Sequence, residues 1–243
     1  MPSVLVPKRS VTPEWMDRAD NSKQDLEGAL RDIRKVNRFL RGSKILIDAI
    51  RPCLQKQLDG QTLTILDVGT GGADLPIDIV RQTHSMGKRV QITAVERDAT
   101  TAAYAKSQTA AYPEIDVQIA DATRLPYAPE SFDVVIASLF LHHFDDEQAA
   151  RLLRDFRALA RRAVLINDLR RHLIPWAFIG LAARVTGRHP MFRHDAPLSV
   201  LRGFTTTELR HAAMEAGAPR VTLTRRFPYR LLMTLPGSGN AIP

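Results

Sequence analysis

One cysteine, Cys53, stands in 243 residues. That excludes a disulfide framework and any cysteine-based metal centre within the sequence. No uncharged run reaches the roughly 20 residues that a membrane-spanning helix needs. No internal repeat or low-complexity tract is visible. The opening Met1-Pro2-Ser3-Val4 lacks the apolar stretch of a secretory signal, and a cytoplasmic protein is expected. No metal-ligand spacing stands out, so no metal is expected either. The acidic pairs Asp145-Asp146 and Asp17/Asp20 read as helix-start and surface charge.

What is present is an ordinary globular composition, 44% hydrophobic and 25% charged. The length suits one α/β domain with embellishments, or one domain plus a small cap. The formal net charge is +8. Its arginines are scattered along helix faces and form no tail. Three readings stay open: a compositional bias, attraction to an anionic membrane surface or substrate, and nucleic acid.

Residues 1–20 read as irregular and exposed. Ser22 opens a helix with Asp25 as an approximate capping box, and Gly42 ends it. A second helix reaches about Leu54, with Pro52 placed to break it early. From Leu63 the pattern alternates. Strands are expected near 63–68, 90–95, 115–120, 132–138 and 163–168, with helices near 74–84, 98–110 and 145–161. Alternation of this kind implies a parallel sheet with the ligand at the carboxyl ends of its strands. Arg220–Phe227 and Tyr229–Leu235 fit an antiparallel edge hairpin. Thr205 and Glu208 cap a last helix that Gly217 ends. The tail 236–243 reads as disordered.

The stretch Ile65-Leu-Asp-Val-Gly-Thr-Gly-Gly-Ala-Asp74 organises the rest. It reads strand, tight turn, helix. Gly69 and Gly71 are needed where a side chain would block the turn or a ligand on it. The following helix offers free backbone N–H groups. Asp67, two residues before the first glycine, would repel a pyrophosphate and suits a ligand with a cationic amino group. Acids also close the next two strands, Glu96 and Asp121. A carboxylate such as Glu96 is acceptor-only and suits a ribose diol.

This pattern resembles the class I S-adenosylmethionine-dependent methyltransferases, over roughly residues 60–168. Ala73 replaces the third glycine of the loop, a mild departure. The run Leu125–Val135 resembles the approach to strand four in small-molecule members. Ser138–Phe144 replaces the Asn-Pro-Pro-Tyr type of sequence of amino-methylating nucleic-acid enzymes, so no nucleic-acid partner is expected. The resemblance implies a Rossmann-like seven-stranded sheet. An N-terminal helical segment or lid would occupy 1–58, and the cofactor-binding domain 59–243, with a helical lid insertion near 170–203. It implies S-adenosylmethionine as cofactor and S-adenosylhomocysteine as product. Asp67, Gly69, Thr70, Gly71, Ala73, Glu96, Arg97, Asp121, Ala122 and Ser138 would line that site. Glu96 would hold the ribose; Asp121 and the Ala122 N–H would hold the adenine.

His142 and His143 follow strand four, where the methyl group should project, and are candidate bases. Asp168, closing strand five, could orient a histidine or accept the proton. His194 and Asp195 are second-rank candidates. Leu173–Ala183 carries no charge and is flanked by Arg170, Arg171, Arg184 and Arg188. It reads as a buried helix over the pocket, or as an apolar lid that touches lipid. The expected reaction is methyl transfer to a small, largely apolar acceptor, aromatic or lipid-like. O-methylation of a phenol or quinol leads, with C- or N-methylation and a non-catalytic cofactor-binding module as alternatives. Peripheral membrane contact fits that acceptor.

Overall fold

A computed structural model describes residues 5–18, 20–40, 42–58, 60–186 and 189–239. In chain order its elements are a 3-10 turn Trp15–Asp17, α1 Lys23–Phe39, α2 Gly42–Gln55, β1 Thr62–Val68, α3 Asp74–Ser85, β2 Arg89–Glu96, α4 Ala99–Thr109, β3 Ile115–Ile119 and β4 Phe132–Ser138. There follow a 3-10 turn Leu141–His143, α5 Asp146–Leu159, β5 Ala160–Leu169, α6 Leu173–Thr186, α7 Pro190–Arg202, α8 Thr206–Glu215, β6 Thr222–Arg226 and β7 Arg230–Pro236.

The seven strands form one sheet in the order β3-β2-β1-β4-β5-β7-β6. β1 to β5 are parallel, and β7 runs antiparallel between β5 and β6. This is the seven-stranded, Rossmann-like sheet that the sequence resemblance implies. Helices cover both faces, so the central strands are buried along most of their length and mainly apolar; β4 is buried from Phe132 to Ala137. One face packs Leu66, Val68, Val135 and Ile166 against α5 and α8 through Leu153, Phe156, Leu209 and Ala213. The other packs Ile65, Ile92, Ile136 and Leu165 against α2, α3 and α4 through Leu46, Ile50, Ile77, Val80 and Ala102.

Local signals explain most boundaries. Ser22, Asp98, Asp145 and Thr205 each cap a helix by accepting a backbone N–H three residues on. Three expectations are corrected. α2 runs through Pro52 to Gln55; Leu46, Ile50 and Leu54 bury one face of it on the sheet, and that burial outweighs the lost hydrogen bond. Residues 5–18 are anchored, with Ser10 N–H on Leu201 O at 3.1 Å and Glu14 only 4% exposed. The described part of the tail is also bound: Gly237 N–H donates to Arg162 O at 3.0 Å. Residues 240–243, and Arg188 beside α6, lie outside the described residues.

Candidate active site

Strand order reverses between β1 and β4, which opens a crevice at the carboxyl edge of the sheet. The loop after β1 lies in it. Gly69, Gly71 and Ala73 take φ of 69°, 55° and 58°. A Cβ on Gly69 would come within 2.2 Å of the Phe140 ring, so the glycine serves both turn and packing. Ala73 accepts the left-handed conformation at a cost of about 1–2 kcal/mol. Gly69 and Thr70 N–H both donate to Val95 O at 3.0 Å, tying the loop to β2.

Asp67 is 2% exposed, and its Oδ2 has no partner among the described residues. Burial pushes its carboxyl up to about 7; the Thr70 hydroxyl opposes this and the Glu96 charge adds to it. Glu96 folds back onto the loop, accepting from Gly71 N–H at 3.1 Å with Oε2 and from Arg97 N–H at 2.9 Å with Oε1. Asp121 is exposed, and its Oδ1 takes the Thr123 N–H and hydroxyl at 2.8 Å each, which holds its carboxyl below the usual range. Arg97 is exposed and Ala122 half-buried beside them.

α1 lies over the loop. Leu30 of α1 stands 3.7 Å from where a Gly71 Cβ would be, and Arg34 Nε is 2.9 Å from Asp74 Oδ1. Under the helical cover, Asp67, Ser138, Asn167 and Arg230 share one sheet face by strand alternation and register. Asn167 donates to Ser138 Oγ at 3.1 Å, and Arg230 to Asn37 Oδ1 of α1 at 3.1 Å. Asn167 Oδ1 and Arg230 Nη1 are buried without partners among the described residues. Burial lowers the Arg230 guanidinium to about 10.

On the opposite face the two histidines meet the N-terminal segment. His142 is 3% exposed. Its Nδ1 is 2.7 Å from Asp168 Oδ1, its N–H donates to Asp168 Oδ2 at 3.0 Å, and its Nε2 is 3.5 Å from Glu14 Oε1. Burial alone would lower its pKa, but the two carboxylates raise it to about 10. Asp168 and Glu14 are held below the usual carboxylate range by that histidine despite their burial. His143 is less enclosed, with 23% of its side chain exposed, and its Nδ1 is 3.1 Å from Asp17 Oδ1. The two rings lie 4.4 Å apart.

His194 stands apart from this pair. It stacks on Trp15 at 4.1 Å and bonds Asp195 Oδ1 at 2.7 Å, while Asp195 accepts Trp15 and Met16 N–H. Both residues thus anchor the N-terminal turn. Asp17, expected as surface charge, faces His143. Arg171 is buried on Glu208, Pro7 O and Gly203 O. Glu14, Asn167 and Arg230 carried no local signal; only the folded chain brings Glu14 to His142. The α6 helix is not buried: Ile174, Trp176, Phe178, Leu181 and Val185 are 50, 41, 57, 63 and 75% exposed.

Comparison with known proteins agrees with the fold. The methyltransferase-domain family matches residues 65–163. The chain superposes on the CMeT domain of the citrinin polyketide synthase with a TM-score of 0.61 at 13% identity, covering 79% of this chain and 51% of that one. It superposes on the DszA carbon methyltransferase with 0.61 at 16% identity, covering 83% and 55%. Magnesium protoporphyrin IX methyltransferase from Synechocystis PCC 6803, with bound S-adenosylhomocysteine, gives 0.55 at 16%, covering 84% and 87%. The chain thus spans about half the length of the first two. No curated protein matches the sequence significantly.

Proposed function

We propose that this chain is an S-adenosylmethionine-dependent methyltransferase that methylates a small, largely apolar acceptor at oxygen, a phenol or quinol; the match of residues 65–163 to the methyltransferase-domain family supports the reading. The observation that carries the acceptor class is the α6 face. Five large apolar side chains stand exposed on the insertion after β5, next to α7, whose Ser199 and Arg202 touch the histidine cluster.

When bound, the cofactor supplies an electrophilic methyl group on a sulfonium and leaves as the thioether. Asp67 would bind its amino group, Glu96 its ribose hydroxyls, and Asp121 with the Ala122 N–H its adenine. Gly69, Thr70, Gly71 and Ala73 shape the loop; Arg97 and Ser138 complete the rim. Closure by α1 excludes water. The acceptor oxygen must be aligned with the methyl carbon and relieved of its proton. His143, the more open of the pair, is assigned that proton, with Asp17 orienting its ring. His142 is enclosed by Asp168 and Glu14 and kept protonated, so a positioning role suits it better than that of base. C-methylation is the second reading, supported by the carbon methyltransferase among the similar structures.

Peripheral membrane contact belongs to the same proposal. The β6–β7 turn carries Phe227, 90% exposed, beside Arg225 and Arg226. Tyr229 packs on His172 at the start of α6, which brings both apolar elements together. No described helix is long and apolar enough to cross a membrane. Screening phenols and quinols with labelled cofactor tests the proposal: label should enter an acceptor oxygen, and turnover confined to carbon acceptors would replace it with the second reading.

A further inference from the structure

We infer that Glu14, His142 and His143 form a binding site for one divalent first-row transition ion, with Zn2+ as the best match. One potential ligand atom from each lies within 4.8 Å of the other two. His142 Nε2 and Glu14 Oε1 are 3.5 Å apart. Zn–N and Zn–O bonds of about 2.0–2.2 Å in a tetrahedron put neighbouring ligand atoms about 3.3–3.5 Å apart. That edge is already in place, and a small inward shift of His143 completes three ligands. His143 is part-exposed, so a fourth position opens outward, as in sites that hold water or substrate.

The surroundings are those of a metal centre. With Nε2 as the ligand atom, His142 presents Nδ1 to Asp168 at 2.7 Å and His143 presents Nδ1 to Asp17 at 3.1 Å. A carboxylate on the far nitrogen fixes the tautomer and orients the ring of a metal-bound histidine. Charge points the same way. Glu14, Asp17 and Asp168 face the two rings. Arg202 lies 3.9 Å from Glu14 and donates to both histidine carbonyls, and the buried Arg230 acts on Asp168 from the other face. An ion there would sit between two imidazoles whose rings lie 4.4 Å apart, with three carboxylates around them. Ser199, which donates to Glu14 Oε1 at 2.7 Å, would orient the carboxylate.

The site goes beyond the methyltransferase reading and is tested without an acceptor. A cation there would change the task of His143 from taking the acceptor's proton to holding the ion that acidifies the hydroxyl. The full chain, freed of metal by chelation, is titrated with Zn2+ by calorimetry and with Co2+ by visible absorption. The expected result is one equivalent bound, with the intense d–d bands of a four-coordinate Co2+ site. His143→Ala and Glu14→Gln should each weaken binding by about 100-fold or more, and Asp17→Asn by about 10- to 100-fold. Circular dichroism and S-adenosylhomocysteine affinity, measured alongside, report folding and the cofactor site separately. Absence of binding by folded wild type, or binding that survives in both folded ligand variants, overturns the site. Loss of S-adenosylhomocysteine binding alone would count against the methyltransferase reading and leave the metal site standing.

Discussion

Asp67→Asn should make the ligand-free protein more stable while weakening its hold on the cofactor. In the fold the Asp67 carboxyl ionises near pH 7, against 3.8 for an unburied group. Between those values the unfolded chain has released a proton that the folded chain keeps. Raising the pH therefore costs stability across that window, and the cost is complete above pH 7. Three units at 1.36 kcal/mol each set an upper bound of roughly 4 kcal/mol. Asn is similar in shape and carries no charge. Urea unfolding should show the variant more stable by about 2–4 kcal/mol at pH 8, with the gain vanishing near pH 4. Calorimetric titration with S-adenosylhomocysteine should show binding weakened about 10- to 150-fold, the worth of a charged hydrogen bond. At pH 6, binding to wild type should release close to one proton, visible as a dependence of heat on buffer ionisation. A variant equally destabilised at both pH values, or one with undiminished affinity, would refute the argument.

Four further outcomes follow from the same geometry. Glu96→Ala should lower S-adenosylhomocysteine affinity by at least 10-fold, read by calorimetry, because it removes the acceptor for the ribose and a bond to the Gly71 N–H. Asp168→Ala strands a buried imidazolium and should cost about 3–5 kcal/mol in urea unfolding. The His142–Asp168 contribution is present below the ordinary histidine pKa and is lost as pH rises through about 10, so this penalty should shrink in strongly alkaline buffer. Trp176→Ser with Phe178→Ser should reduce co-sedimentation with anionic lipid vesicles and leave cofactor affinity unchanged. Gly69→Ala forces a methyl into the Phe140 ring at φ 69° and should cost more than 1 kcal/mol of stability.

The central sheet was legible because its information is local. Asp67, the glycines and Ala73 lie within one turn of chain, and alternation of strand with helix fixes a parallel order. The positions of Glu96 and Asp121 at or just beyond the ends of successive strands were legible as well. The pairing of Asp168 with a histidine was legible in the same way, and His142 is on it at 2.7 Å. The other partners of His142 and His143, Glu14 and Asp17, were not, for a physical reason: they lie more than 120 residues away, and no periodicity connects them. Asp17 looks like any surface acid until its histidine is beside it. Pro52 misled because local propensity was set against the burial of three large side chains. The α6 stretch left two readings open, burial or an outward apolar lid, because absence of charge fits both; its apolar face stands outward.

The anchoring of residues 5–18 has a consequence for biosynthesis. This segment leaves the ribosome early, yet it is fastened by groups made late: Leu201 O receives Ser10 N–H, Arg202 O receives the Arg9 guanidinium, and Asp195 receives the Trp15 and Met16 N–H groups. The cofactor loop and its sheet neighbours can assemble while translation continues. The wall that carries Glu14 cannot close until α7 has emerged. A half-made chain would hold the loop after β1 without a closed histidine cluster, so that cluster is completed in one step, once α7 has emerged.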